Sequence, residues 1–146
     1  FESFLRRLLA PEPAPLPAPE AHLALAALLV RLARSDGEYA EAEVARIDRV
    51  LAALYRLSPF EATALRLEAE TLEAEAPDTV RFTRALKDAV PLEERAGLMQ
   101  GLWSVALADG GRAAEEEQML RLVANLLGLS DRDSALARQR VEGGRR

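Results

Sequence analysis

The sequence predicts an all-α fold, a compact helical bundle of seven core helices with two similar helix-loop-helix units and a short N-terminal helix. Three observations predict it. Ala, Leu, Arg and Glu dominate, and these residues lose little freedom in a helix. Aromatics are 5% of the chain and β-branched residues are scarce, which disfavours strands. Six of the eight glycines fall at segment junctions or in the tail, not in periodic runs. A chain of 146 residues is long enough to bury one core without disulfides.

Phe1, Phe4, Leu5, Leu8 and Leu9 recur at helical spacing opposite Glu2, Arg6 and Arg7, so residues 1–10 are expected to form an amphipathic helix. Its simplest fate is to fold back onto the domain. Docking to a partner, or weak peripheral association with a membrane surface, is the alternative. Residues 11–19, Pro11-Glu-Pro-Ala-Pro-Leu-Pro-Ala-Pro19, form an extended, stiff linker. The helical domain is expected over residues 20–142, and residues 143–146 form a basic, frayed tail.

Within the domain, apolar spacing places helices over 21–34, 40–55, 59–72, 78–89, 91–107, 113–127 and 131–141. Asp36-Gly37, Asp109-Gly110 and Gly128 stop helices. Ser58-Pro59-Phe60-Glu61 and Ser130-Asp131-Arg132-Asp133 start them as capping boxes, the second with Asp in place of Glu. Pro91, followed by Glu93 and Glu94, suits a first turn by sterics and by dipole. Glu68, Glu70, Glu73, Glu75 and Asp78 accumulate where a helix should end, against its dipole. They are expected to form a solvated face neutralised by Arg81 and Arg84 on the following helix.

Composition excludes several functions. The absence of cysteine excludes a disulfide scaffold, a thiol nucleophile and an iron–sulfur cluster. A single histidine, His22, argues against a multi-histidine metal site or a Ser–His triad, and it is expected to cap a helix or face solvent. Trp103 lies in an apolar row and is expected in the core. The balance of 24 acids against 19 bases argues against nucleic acid as a partner. The richest apolar run, Leu23 to Leu32, is about half of the roughly 18 residues a membrane span needs. Residues Phe1 to Leu9 carry no secretory signature, so the expected location is cytoplasmic. There is no phosphate loop or nucleophile elbow.

The informative feature is an internal duplication. Leu25-Ala-Ala-Leu-Leu-Val-Arg-Leu-Ala-Arg-Ser-Asp36-Gly37 matches Leu98-Met-Gln-Gly-Leu-Trp-Ser-Val-Ala-Leu-Ala-Asp109-Gly110 in apolar pattern. A glutamate follows each Asp at the same distance, Glu43 and Glu116, and each copy then runs to a Leu-Ser cap, Leu57-Ser58 and Leu129-Ser130. At about 100° per residue, Glu43 falls in the row of Ile47, Val50, Leu51 and Leu54. Glu116 falls in that of Met119, Leu120, Val123 and Leu127. An inward glutamate is expensive unless something offsets its charge. Two of them, each a loop away from an Asp, point to a constellation of Asp36, Glu43, Asp109 and Glu116. Such a set suits a hard cation such as Ca²⁺, Mg²⁺ or Mn²⁺, with Zn²⁺ a further candidate, or else arginines. The alternative is structural: both glutamates lie in first helical turns, where capping and the dipole favour them. The loops lack the ligand spacing of EF-hands.

At these residues the chain resembles the tellurite-resistance TerB family. The doubled Asp-Gly-x-x-x-x-x-Glu after an Ala/Leu-rich helix carries the likeness, and Leu129-Ser-Asp-Arg-Asp-Ser-Ala-Leu-Ala-Arg138 is similar to its uncharacterised proteobacterial branch. The resemblance covers about Leu23 to Val141. It implies an all-helical bundle, a cytoplasmic location, and metal binding in a stress response to tellurite and other toxic agents, without enzymatic activity. Similar domains stand beside J-domain co-chaperones, which implies a protein partner. Asp36 and Glu43 carry over from the first motif, Asp109 and Glu116 from the second. Gly111 stands where the first copy has Glu38, so the two copies differ at a third potential ligand. The expected function is a non-catalytic, metal-binding module. The rival is a protein-interaction module that docks through residues 1–9 or an acidic surface.

Overall fold

The computed structural model describes residues 18–35, 37–75, 79–108 and 114–144. The expected N-terminal helix and most of the linker lie outside the described residues, as do Asp36, Asp78 and Asp109. The elements are α1 (Ala18–Arg34), α2 (Glu41–Tyr55), α3 (Pro59–Glu75), α4 (Val80–Ala89), α5 (Leu92–Ala106), α6 (Ala114–Leu126) and α7 (Asp131–Gly144). No strand occurs among the described residues.

The apolar surface of α1 runs almost all the way round the helix, so it must be buried on all sides. Leu23 to Val30, Leu32 and Ala33 are all core residues. Helices α2, α3, α4, α5 and α6 surround it. The equivalent helix of the second copy, α5, buries Leu98, Met99, Leu102, Trp103, Val105 and Ala106.

The duplication extends over three helices. In the first unit α1 packs on α2 and α3, and α2 packs on α3; in the second, α5 packs on α6 and α7, and α6 packs on α7. The units interlock, because α1 also touches α5 and α6 while α5 touches α2. Helix α4 connects the two and packs on α1 and α6.

Both capping boxes form. The Ser58 amide donates to Glu61 Oε1 at 2.9 Å, and the Glu61 amide donates to Ser58 Oγ at 3.1 Å. The second box has the same reciprocal pair at 3.0 Å each, Ser130 amide to Asp133 Oδ2 and Asp133 amide to Ser130 Oγ. The serine amides, then their hydroxyls, hold the Glu61 and Asp133 carboxyls below their ordinary pKa values. Elsewhere Arg95 donates to the carbonyls of Lys87, Val90 and Leu127, joining α5 to the ends of α4 and α6. These are carbonyls that a helix terminus leaves without an intrahelical donor.

Three ends differ from expectation. Helix α1 begins at Ala18, because Pro19 lies in its first turn, where a missing amide costs no helical bond. Helix α3 continues to Glu75, so Glu68, Glu70, Glu73 and Glu75 are helical, and α7 continues to Gly144. Bases on α1 and on α3 itself meet two of the acids. Glu73 binds Arg31 at 3.1 Å and Arg34 at 2.6 Å, both from α1. Glu70 binds Arg66, one turn earlier on α3, at 2.8 Å. Basic side chains packed onto the end of α3 therefore offset the acids that oppose its dipole.

Candidate functional site

The first Asp-Gly loop leaves α1 through Gly37, whose amide donates to the Arg34 carbonyl at 3.0 Å. Its φ of 88° is left-handed, a conformation that glycine adopts without Cβ strain. The chain then enters α2, and Glu43 sits in the first turn. Glu43 is 0% exposed and shares its row with Ile47, Val50 and Leu51. Its Oε1 accepts from the Ala40 amide at 3.4 Å. In the second unit Glu116 is 3% exposed, in the row of Leu120, Val123 and Ala124. The inward placement expected of both glutamates is thus observed.

The two units meet crosswise. Arg46, one turn after Glu43, donates from Nη1 to Ser104 Oγ at 2.9 Å, near the C-terminal end of α5. On the other side, Thr79 Oγ contacts Met119 Sδ at 4.0 Å, one turn after Glu116, and accepts from Arg31 Nη1 at 3.5 Å near the end of α1. The first turns of α2 and α6 therefore lie at the C-terminal ends of α5 and α1. The C-terminal ends of α1 and α5 and the first turns of α2 and α6 thus lie together at one end of the bundle.

Asp36 and Asp109 fall outside the described residues. Among the described residues, no three Asp, Glu or His side chains are grouped as a metal centre. The donor set of the four named residues is all carboxylate, which fits a hard cation and offers no soft ligand. Buried carboxylates at matched positions fit such a cation chemically, since its charge offsets their desolvation.

Sequence reasoning missed the polar strip that ties the first loop to α3. Tyr39, inside the loop, donates from its hydroxyl to Glu70 Oε2 at 2.7 Å. Burial, then the bond to Glu70, pushes the Tyr39 hydroxyl above the usual phenol range. Arg66 bridges from Glu70 to Asp48 Oδ1 at 2.6 Å, and Thr63 donates to Asp48 Oδ2 at 2.9 Å. Arg34 lies 4.9 Å from the centre of the Tyr39 ring. The signal was the single aromatic in the loop, opposite an acid run with no base inside it.

His22 stacks on Tyr55 with ring centres 3.4 Å apart, and does not serve as a cap. Trp103 is in the core as expected, and its indole nitrogen donates to Ser134 Oγ at 3.1 Å.

The described helices define a duplicated all-α domain in which α1 and α5 end, and α2 and α6 begin, at one end of the bundle. A family model described as tellurite resistance protein TerB matches residues 22–139. The chain belongs to the TerB family. No curated protein and no solved structure matches it. No helix among the described residues is long and apolar enough to cross a membrane.

Proposed function

We propose that the chain is a non-catalytic TerB module of a tellurite-type stress response that binds a divalent cation. Asp36 and Glu43 from the first loop, with Asp109 and Glu116 from the second, would hold it. The ion supplies positive charge that fixes the loops and alters the surface the domain offers a protein partner. One observation carries this reading: Glu43 and Glu116 are 0% and 3% exposed at equivalent positions of the two units. A carboxylate needed only for capping has no reason to be buried twice.

A second reading makes both glutamates structural and the domain a protein-interaction module. It is favoured by the bond from the Ala40 amide to Glu43 Oε1, a capping contact. The melting temperature of metal-stripped protein with Ca²⁺, Mg²⁺, Mn²⁺ or Zn²⁺ separates the two, because a ligand of the native state stabilises it by mass action. A rise specific to one cation, lost in Glu43→Gln/Glu116→Gln and in Asp36→Asn/Asp109→Asn, is the expected result. No rise with any cation overturns cation binding and leaves the structural reading.

A further inference from the structure

Helix α3 carries a second face with no use in the cation site. Its inner row is Ala62, Leu65, Ala69 and Leu72, packed in or against the core. Its outer row is Phe60, Ala64, Leu67, Thr71 and Ala74, all exposed. The outer spacing alternates four and three residues, the period of a seam that receives another helix. Phe60 is 83% exposed and Leu67 52%, more than an isolated surface apolar residue requires. Along one edge of this row Glu61, Glu68 and Glu75 recur once per heptad, all exposed.

The complement lies in the same chain. Phe1, Phe4, Leu5 and Leu8 form an apolar row with the same period, and Arg6 and Arg7 are long enough to reach its flanks. Position agrees with charge. Arg31 and Arg34, near the end of α1, bind Glu73 near the end of α3, so the two helices run in the same direction. Both contain 17 residues, so their first turns are level. His22, in the second turn of α1, stacks on Tyr55, just ahead of Pro59. The chain therefore reaches α1 beside the start of α3. A proline-rich stretch of the length between Leu9 and Ala18 would span roughly 25 Å at about 3.1 Å per residue, enough to return a short helix along α3.

A second apolar depression, a groove of about 400 Å³ between α2, α5 and α7, is lined by Val50, Leu54, Gly97, Gly101 and Val141. Its charged lining residue is Arg46, of the same sign as Arg6 and Arg7. Charge selects the α3 face.

We propose that Phe1–Leu9 seats on the outer face of α3, its apolar row against Phe60, Ala64 and Leu67 and its arginines beside Glu61, Glu68 and Glu75. The segment is then a built-in cover for the one acidic heptad seam of α3, independent of the cation site.

The chain has no cysteine, so paired replacements report on this directly. Leu5→Cys/Ala64→Cys and Leu5→Cys/Gly97→Cys are treated in the full chain, at low concentration, with a short thiol-reactive cross-linker. Ala64 is exposed, and a side chain at Gly97 meets nothing within 4 Å, so both pairs leave the fold intact. The expected result is a cross-linked monomer that forms at least about tenfold faster with Ala64 than with Gly97, because seating raises the local concentration. That excess falls toward parity in Glu68→Lys/Glu75→Lys, which leaves the Ser58–Glu61 capping box intact, at unchanged secondary structure. Equal rates for the two pairs in the native background overturn the proposal in favour of an unseated tether. Faster linkage to Gly97 places the segment in the groove, and predominance of linked dimers makes a second copy the occupant; either overturns it too.

Discussion

Arg46 Nη1 donates to Ser104 Oγ at 2.9 Å, joining the second helix of one unit to the first helix of the other. The same guanidinium nitrogen lies 3.4 Å from the Ser104 carbonyl oxygen. Arg46 and Glu43 are a turn apart on α2, so this bond fixes the start of α2 against the end of α5. Ser104→Ala removes the hydroxyl and leaves the carbonyl, and should cost about 1 kcal/mol, the net worth of one such bond. Urea denaturation measures that loss. If the two loops act as one cation site, the same variant also lowers the cation-dependent rise in melting temperature.

The Gln variants of the buried glutamates separate shape from charge. A Gln side chain keeps the acceptor that Glu43 offers the Ala40 amide and removes the negative charge. Metal-stripped Glu43→Gln and Glu116→Gln should each melt close to the parent, within about 1 kcal/mol in stability. The cation-dependent part of the melting temperature should disappear. Parallel titration calorimetry of each variant with the stabilising cation checks this.

Glu73 is the hinge of the ion pairs between α1 and α3. Its side chain is 13% exposed and meets Arg31 and Arg34, while its carbonyl accepts from Arg31 Nη2 at 3.0 Å. Glu73→Ala leaves the largely buried Arg31 guanidinium without its carboxylate, although Arg31 keeps the Phe82 ring at 5.1 Å, while Arg34, 35% exposed, can turn to water. A loss of about 3 kcal/mol is expected, at the lower end for breaking one side of a buried pair. Chemical denaturation checks it, and Glu68→Ala, on the exposed face of the same helix, should change stability by less than about 0.5 kcal/mol.

What was legible in the sequence was local or periodic. Ser58 with Glu61, and Ser130 with Asp133, announce helix starts because each box closes within four residues. Leu23 to Leu32 announces the central helix because no polar stripe interrupts it. Glu43 and Glu116 stand out because phase alone puts a carboxylate in an apolar row. What could not be read depends on which helices meet. Arg31 and Arg34 find Glu73 only because α1 and α3 run side by side, and distance along the chain gives no hint of it. Tyr39 with Glu70, and His22 with Tyr55, are likewise tertiary pairs between residues whose local patterns are unremarkable. The start of α1 was misplaced because Pro19 looks like linker although a first turn accepts it.

His22 provides a pH signature. Burial lowers its pKa from the ordinary 6.5, so the folded chain favours the neutral ring that stacks on Tyr55. As pH falls, the unfolded chain takes up this proton first. The contribution is therefore full above 6.5 and is lost as pH drops through the folded value. With a single histidine in the chain, one imidazole resonance reports the titration, and its midpoint should lie below 6.5. The loss of urea stability between pH about 7.5 and about 5.5, above the carboxylate range, should shrink in His22→Phe. A midpoint at or above the ordinary value would remove the stacking contact from the account of α1.

Two glycines on α5, one turn apart, should respond to alanine in opposite directions. A Cβ at Gly97 meets nothing within 4 Å, so Gly97→Ala adds helix propensity without a clash. It should stabilise the protein by about 0.5–1 kcal/mol, the intrinsic difference between the residues in a helix. A Cβ at Gly101 lies 3.0 Å from Val50 Cγ1 and 3.6 Å from Leu54 Cδ1. Val50 is β-branched, so its χ1 is stiff, and it is 8% exposed on a helix held to α5 by Arg46. The neighbour has little room to retreat, and overpacking of this kind costs about 1–3 kcal/mol. That exceeds the propensity gain, so Gly101→Ala should be net destabilising where Gly97→Ala is stabilising. Adding Val50→Ala to Gly101→Ala should recover part of the loss by opening space for the new methyl. Urea denaturation of the three variants checks this; if both single alanines stabilise, the close approach of α2 to α5 at Gly101 is wrong.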